Sequence, residues 1–497
     1  MVPPASASSF PSSETISTNV QPETESWSKS ASILQRIEEE QRGHPTSYQD
    51  QTSAAGASHS IPSTSQIQLE PTPLDECHIN AAPPSAIFSI AINEISLADM
   101  DAKYAESHPQ KSIPDLEFNL RELLTIATAA MNSPCTMIEL LGFGMFNKAY
   151  LLTFSNGKEA VARLPCTKLR TQYRLQSEVG AMKYAAANLP NEWKSLVPAV
   201  FAWDSDPQNP VGKPYLLMEK MGGATLASQV STSLSKEKKL SIAKQLARFT
   251  SALYALGSNF TQIGGVYCKN NDFEVGPLIR NWSDHARQRP EVDNGPWKST
   301  GDFMAAQFQQ LLRVWMDYYV PQVNAKNFFR RTNVDEVIRF IKQAASLIPK
   351  FDPRVLTGDP DADNRRGFVH TDLSEGNILI DPISAKLVGI IDWEAAGVLS
   401  EPFAVRIPSW FRGPTVYNAT TPLDQLDERY RELFIELTDL RETYCLERIC
   451  IDGPEYDEAL VSYDDLYKLE ECLDVYLFDP EDLEEQRKWI AEKIKRR

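Results

Sequence analysis

Residues 368–394 read FVHTDLSEGNILIDPISAKLVGIIDWE. The stretch holds His370-x-Asp372-x-x-x-x-Asn377, then two short apolar runs, then Asp392. These residue types in this order suit phosphoryl transfer. That reaction asks little covalent chemistry of a protein. It needs a carboxylate to orient and deprotonate an acceptor hydroxyl, and oxygen ligands to hold Mg2+ on the phosphates. Asp372 suits the first role. Asn377 and Asp392 suit the second, because Mg2+ takes few carboxylates and completes its shell with amide, water and phosphate oxygens. His370 is expected to support the loop by hydrogen bonding. Singly, each residue reads as well as a turn cap or a hydrogen-bonded histidine; the whole set at these intervals carries the chemical reading.

The surrounding elements must bring these groups together. NILID and KLVGIID flank a Pro382 turn and read as paired strands, which would put Asn377 and Asp392 at the same end. Farther upstream, two extended runs flank Asn156-Gly157, a hairpin signal because both turn positions favour positive φ. The second of these runs is Ala160-Val161-Ala162-Arg163-Leu164, and strand alternation places Val161 and Arg163 on one face. Helices are expected at Leu116 to Met131, Gln176 to Ala187 and Lys236 to Tyr254, and over 300–319 and 334–347. PYLLMEK, from Pro214, reads as a strand, and the chain from Leu426 reads as helical and charged.

The loop His370-x-Asp372-x-x-x-x-Asn377 with Asp392 resembles the catalytic and metal loops of the protein-kinase-like superfamily. HTDLSEGNILID followed by GIIDWE is similar to the aminoglycoside phosphotransferase and choline kinase branch, and to fungal proteins carrying an aminoglycoside phosphotransferase domain. The likeness runs over residues 130–420. It implies an α+β, bilobal protein-kinase-like fold with a small antiparallel-sheet N-lobe and a mainly helical C-lobe. It further implies ATP in the interlobe cleft, Mg2+ on Asn377 and Asp392, and a small-molecule hydroxyl as acceptor. Gly142, Gly144 and Asn147 fall where a phosphate loop is expected, with Asn147 in a glycine slot because Asn tolerates positive φ. Val161 would line the adenine. Arg163 stands where the family usually has a phosphate-binding Lys, and Glu178 on the following helix would anchor it. Glu219 and Met221 would form the hinge that offers backbone groups to adenine, before Gly222-Gly223 releases the chain into the second lobe. Protein kinases have Lys where Ser374 stands and Asp-Phe-Gly where Asp392-Trp393-Glu394 stands, and no Ala-Pro-Glu follows here. A protein kinase is thus disfavoured. A non-catalytic nucleotide-binding scaffold stays open, because Arg163 and Asn147 depart from the pattern.

The totals narrow the classes. Across 497 residues the formal net charge is -17, which opposes a nucleic-acid partner. The seven cysteines include no C-x-x-C pair, which argues against a disulfide framework and a zinc site. No apolar run is long enough to span a bilayer, and the first twenty residues lack Lys and Arg, so a cytoplasmic location without membrane contact is expected. Residues 1–84, rich in Ser, Thr, Pro and Gln, are expected to be a disordered extension, with one helical island at Trp27 to Glu40. Residues 85–220 would form the N-lobe with a preceding helical segment, and 221–497 the C-lobe. Glu394 reads equally as a metal or substrate group and as a structural salt bridge. Trp393 and Trp410 read as core more readily than as pocket lining. Asp284, His285, Asp464 and Asp465 read as solvated surface.

Overall fold

The chain turns at Asn156-Gly157 as expected, but only Gly157 takes positive φ; Asn156 does not, because the Gly157 N–H bonds back to the Phe154 carbonyl at 2.9 Å and the loop is longer than a two-residue turn. Gly157 has φ 76°, the Asn156 side chain accepts the Lys158 N–H at 3.0 Å, and the strands on either side pair without interruption. The computed structural model of the chain describes residues 96–495, apart from 110–111, 145, 167–171, 231–233, 270–271, 279–292, 317–333, 413–427 and 474–479. The expected extension 1–84, with its helical island, and the pair Asp284-His285 lie outside the described residues.

The first lobe begins with two helices, α1 (Leu97–Ser107) and α2 (Leu120–Met131). Strands β1 (Cys135–Phe143), β2 (Asn147–Phe154) and β3 (Glu159–Pro165) follow, then helix α3 (Gln172–Asn188) and strands β4 (Val200–Asp204) and β5 (Tyr215–Glu219). The five strands form one antiparallel sheet in the order β1-β2-β3-β5-β4. Cross-strand partners share a face, so Tyr150 with Ala162 and Leu152 with Ala160 line one side. There they pack with Leu120, Leu123, Leu124 and Ala127 of α2 and with Met100 of α1. The opposite side carries Ala149 with Arg163 and Leu151 with Val161, and this face looks into the cleft. Helix α2 starts later than the periodicity predicts. The Asn119 side chain accepts the Glu122 N–H and caps it at Leu120, while Leu116 stays buried in the extended run before it.

The second lobe is mainly helical but holds more sheet than its sequence suggests. Strand β6 (Ala224–Thr225) leads to helix α4 (Lys236–Leu256), capped by the Ser235 hydroxyl. Its apolar stripe of Ile242, Ala243, Leu246, Phe249 and Leu253 is buried in the main core. Burying one such Leu or Phe side chain contributes about 1.5–3 kcal/mol. Strands β7 (Gly264–Lys269) and β8 (Asp272–Gly276) and helices α5 (Thr300–Val314) and α6 (Val334–Ala345) come next. Then follow β9 (Arg366–Val369), β10 (Ile378–Ile380), β11 (Leu387–Ile390), β12 (Gly397–Ser400), and the late helices α7 (Glu428–Asp452) and α8 (Pro480–Lys495). They give a three-stranded sheet β11-β10-β6 and a four-stranded sheet β8-β7-β12-β9. The two lobes are tied where α3 crosses β7. A Cβ at Gly180 would sit 2.1 Å from the Val266 carbonyl oxygen, so only glycine permits that approach. Among the described residues no helix is long and apolar enough to cross a membrane.

Candidate active site

The β10–β11 hairpin sets the floor of the site. Ile378 pairs with Ile390, and the Ile391 N–H donates to the Asn377 carbonyl at 3.0 Å, so Asn377 and Asp392 emerge at one end, as the alternation of apolar runs predicts. Helix α4 holds the other end. Lys238 donates to the Pro382 carbonyl at 2.9 Å, and the Gln245 side chain bonds both Ala385 and Leu387.

The loop before β10 is pinned by His370. Its ring is 1% exposed, lies edge-on to Trp393 at 4.9 Å, and donates from Nε2 to the Ile391 carbonyl at 3.1 Å. Burial pushes the imidazole down to about 4, so it is neutral near pH 7 and serves as a hydrogen-bonding brace rather than a charge. Next to it, Thr371, Asp392 and Ala395 all have left-handed backbone, at φ 63°, 64° and 70°. Non-glycine residues rarely hold that conformation, and such strain gathers at functional loops. The Thr371 hydroxyl donates to the Ala395 carbonyl at 3.2 Å, linking two of the three.

Asp372 faces outward from this braced loop. Its carboxylate accepts the Asn377 side-chain N–H at 2.8 Å, and its carbonyl accepts the same amide at 3.0 Å. The amide nitrogen of Asn377 is thereby committed, which leaves its oxygen as the atom to offer a cation. Burial, and then the nearby charge of Asp392, raise the Asp372 carboxyl above its ordinary value, which suits a group that must take up a proton. Asn377 and Asp392 as a donor pair fit Mg2+, which takes few protein oxygens where phosphate and water complete its shell. Among the described residues no group of three or more His, Cys, Asp or Glu side chains is placed to hold a metal alone.

The roof comes from the first lobe. Arg163 of β3 binds Glu178 of α3 through one guanidinium nitrogen and reaches Asp392 Oδ1 with the other at 3.1 Å. Arg163 and Glu178 are 10% and 2% exposed. Burial alone would lower the arginine's pKa; Glu178, then Asp392 and Glu394, outweigh it and raise the value, so the group stays charged. Val161 lies on the same face, two residues earlier. Gly142 ends within β1, and the Gly144 N–H donates to the Asn147 carbonyl at 2.9 Å. Asn147 does not use the positive φ that its residue type tolerates. It is a strand residue paired with Pro165, and neither it nor Gly142 nor Gly144 has positive φ, because the turn is closed by that backbone bond instead. Glu219 closes β5 with its N–H on the Ala199 carbonyl at 2.8 Å. Met221 packs against Gly389 of β11. Gly223 then turns at φ 82°, where a Cβ would lie 2.4 Å from the Ile380 carbonyl oxygen.

His370, Asp372, Asn377, Asp392, Arg163 and Glu178 thus converge, while Gly142, Gly144 and Asn147 lie at the β1–β2 connection, Val161 on the Arg163 face of β3, and Glu219 and Met221 at and just beyond the end of β5. Two ion pairs have no local signal in the sequence. Arg174 binds Glu394 at 2.7 Å, with exposures of 2% and 5%, which settles Glu394 as a buried salt-bridge partner. Lys148, fully buried, binds Asp101 of α1 at 2.8 Å. Trp393 and Trp410 are core residues. Asp464 and Asp465 are ion-paired with Lys468 and Lys493 rather than merely solvated.

The sequence profile of the phosphotransferase enzyme family matches residues 138–399. A subtelomeric hrmA-associated cluster protein of Aspergillus fumigatus is 28% identical over 311 residues, 53% of this chain and 58% of that protein. The chain thus spans little more than half the length of that relative. Altered inheritance of mitochondria protein 9, mitochondrial, of Lachancea thermotolerans is 22% identical over 387 residues, 68% of this chain and 60% of that one. The solved structure of a Plasmodium vivax ethanolamine kinase aligns with 80% of this chain and 95% of its own, at 12% identity and a TM-score of 0.34.

Proposed function

The chain belongs to the phosphotransferase enzyme family, and from that premise we propose that it transfers the γ-phosphoryl group of ATP to a hydroxyl of a small molecule. One observation carries the reading: Asp372, Asn377 and Asp392 meet at one hairpin end directly beneath the Arg163–Glu178 pair. Asp372 orients the acceptor hydroxyl and takes its proton as the new O–P bond forms and the bond from the γ-phosphorus to the bridging oxygen breaks, releasing ADP. Asn377 and Asp392 would hold Mg2+, whose charge offsets that of the phosphates. Arg163 would offer the phosphates a permanent charge, kept in place by Glu178. Neutral His370 braces the loop on which Asp372 is mounted. Gly142, Gly144, Asn147 and Val161 form the cover, and Glu219 with Met221 the hinge. The net charge of -17 opposes a nucleic-acid acceptor.

Arg163 in place of lysine, in contact with Asp392, favours a second reading: a nucleotide-binding scaffold without turnover. Purified full-length protein, γ-labelled ATP, Mg2+ and a fractionated metabolite extract separate the two. Label entering a small molecule, and lost in Asp372→Asn, supports the enzyme. Nucleotide binding without transfer supports the scaffold, and label on added protein a protein kinase. A cytoplasmic location belongs to the same proposal; relatives named as mitochondrial make cell fractionation its test.

A further inference from the structure

Helix α3 reaches the floor of the cleft at two points. One is the Glu178–Arg163–Asp392 chain. The other, one turn earlier, is Arg174, which no role in phosphoryl transfer yet employs. Its guanidinium is 2.7 Å from Glu394, two residues beyond Asp392, and 5.1 Å from the centroid of the Phe146 ring. Phe146 belongs to the β1–β2 loop, and its carbonyl accepts the Cys166 N–H at 2.8 Å. One side chain therefore touches the tip of the roof loop and the strained floor segment between Asp392 and Ala395. Taking a guanidinium and a carboxylate out of water is costly, and their mutual attraction offsets that cost only in good geometry. A planar guanidinium can form an ion pair at its edge while stacking its face on an aromatic ring, which lysine cannot do equally well.

We infer that Arg174 is a positioning residue that ties the tip of the β1–β2 loop to the Asp392 loop, so that nucleotide affinity and its dependence on Mg2+ are set together through this one side chain. The inference rests on the phosphotransferase reading. It implies that Phe146 and Glu394, on opposite sides of the cleft, act on the bound nucleotide through a common partner.

The test is titration of the full-length protein with a non-hydrolysable ATP analogue, with and without Mg2+, alongside thermal unfolding. Arg174→Ala should weaken binding on the order of tenfold, one contact's worth, and should reduce the Mg2+-dependent gain in affinity. Arg174→Lys keeps the charge opposite Glu394 and should restore the Mg2+ dependence while leaving part of the affinity lost. Phe146→Leu and Glu394→Gln should combine to less than the sum of their separate losses. Equal binding by Arg174→Ala and wild type at both metal conditions would sink the inference and leave the phosphotransferase reading standing. If Arg174→Ala does not fold, additivity of Phe146→Leu with Glu394→Gln has the same force. A wild-type protein that binds no nucleotide would overturn both readings.

Discussion

Arg163 Nη1 stands 3.1 Å from Asp392 Oδ1 while its neighbouring nitrogen is bound to Glu178, so one buried guanidinium joins the roof of the cleft to its floor across 229 residues of chain. Removing Glu178 leaves Arg163 with less compensation in a place where water is scarce. Arg163→Ala and Glu178→Ala should each weaken ATP-analogue binding. Because both act through one interaction, a double-mutant cycle should return a coupling of about 1–3 kcal/mol. Independent, additive losses would remove the pair from the nucleotide roof.

The two acidic groups of the centre should fail differently. Asp372→Asn preserves size and the contact with Asn377 but removes the base, so turnover should fall by about 10²–10⁴ with nucleotide and Mg2+ binding retained. Asp392→Ala should lower turnover and also abolish the Mg2+-dependent gain in nucleotide affinity. Parallel titrations and transfer assays separate them. The opposite pattern, with Asp372→Asn blind to nucleotide and Asp392→Ala still responsive to Mg2+, would exchange or discard the assigned roles.

His370 should impose an acid sensitivity on stability. Its value falls from 6.5 in the unfolded chain to about 4 in the fold because burial opposes the charged ring. Above 6.5 both states are neutral and the group contributes no slope. As pH falls below that value the unfolded chain takes up a proton that the folded chain refuses, so stability is lost until about 4, by about 3 kcal/mol in all. His370→Gln removes the titration. Urea midpoints near neutrality and near pH 4 should differ less for this variant than for wild type. An identical acid loss in both proteins would show that other groups dominate.

Lys148 is fully buried on the outer face of β2 and paired with Asp101 of α1, which lies upstream of the family-matched region. The Asp101 side chain is 27% exposed, so Asp101→Ala should cost less than a fully buried pair would, about 1–3 kcal/mol for the stranded Lys148 ammonium. Lys148→Met with Asp101→Asn should recover most of it, because no uncompensated charge remains. Chemical unfolding of the three proteins is the measurement. A single variant as stable as wild type would mean that Lys148 finds water or another acceptor.

Much of the centre was legible because its signals are local. Period-two alternation put Val161 and Arg163 on one face, Asn156-Gly157 named its own turn, and two apolar runs around Pro382 brought Asn377 and Asp392 to one end. Each depends on backbone geometry within a few residues. Asn147 shows the limit, since its residue type allows positive φ, whereas the chain holds it in β2 with the Gly144 N–H on its carbonyl. Leu116 shows another, since periodicity extended a helix that the Asn119 cap ends at Leu120. The sheet β8-β7-β12-β9, inside a lobe that reads as helical, is built from short glycine-containing strands, and apart from the β7–β8 hairpin its pairings join segments distant in the chain. The pairs Arg174–Glu394 and Lys148–Asp101 likewise unite charges 220 and 47 residues apart. Charged residues in a helix or strand look the same in sequence whether solvated or buried. Only packing that removes water from at least one partner decides that they must meet, and that is a property of the tertiary structure.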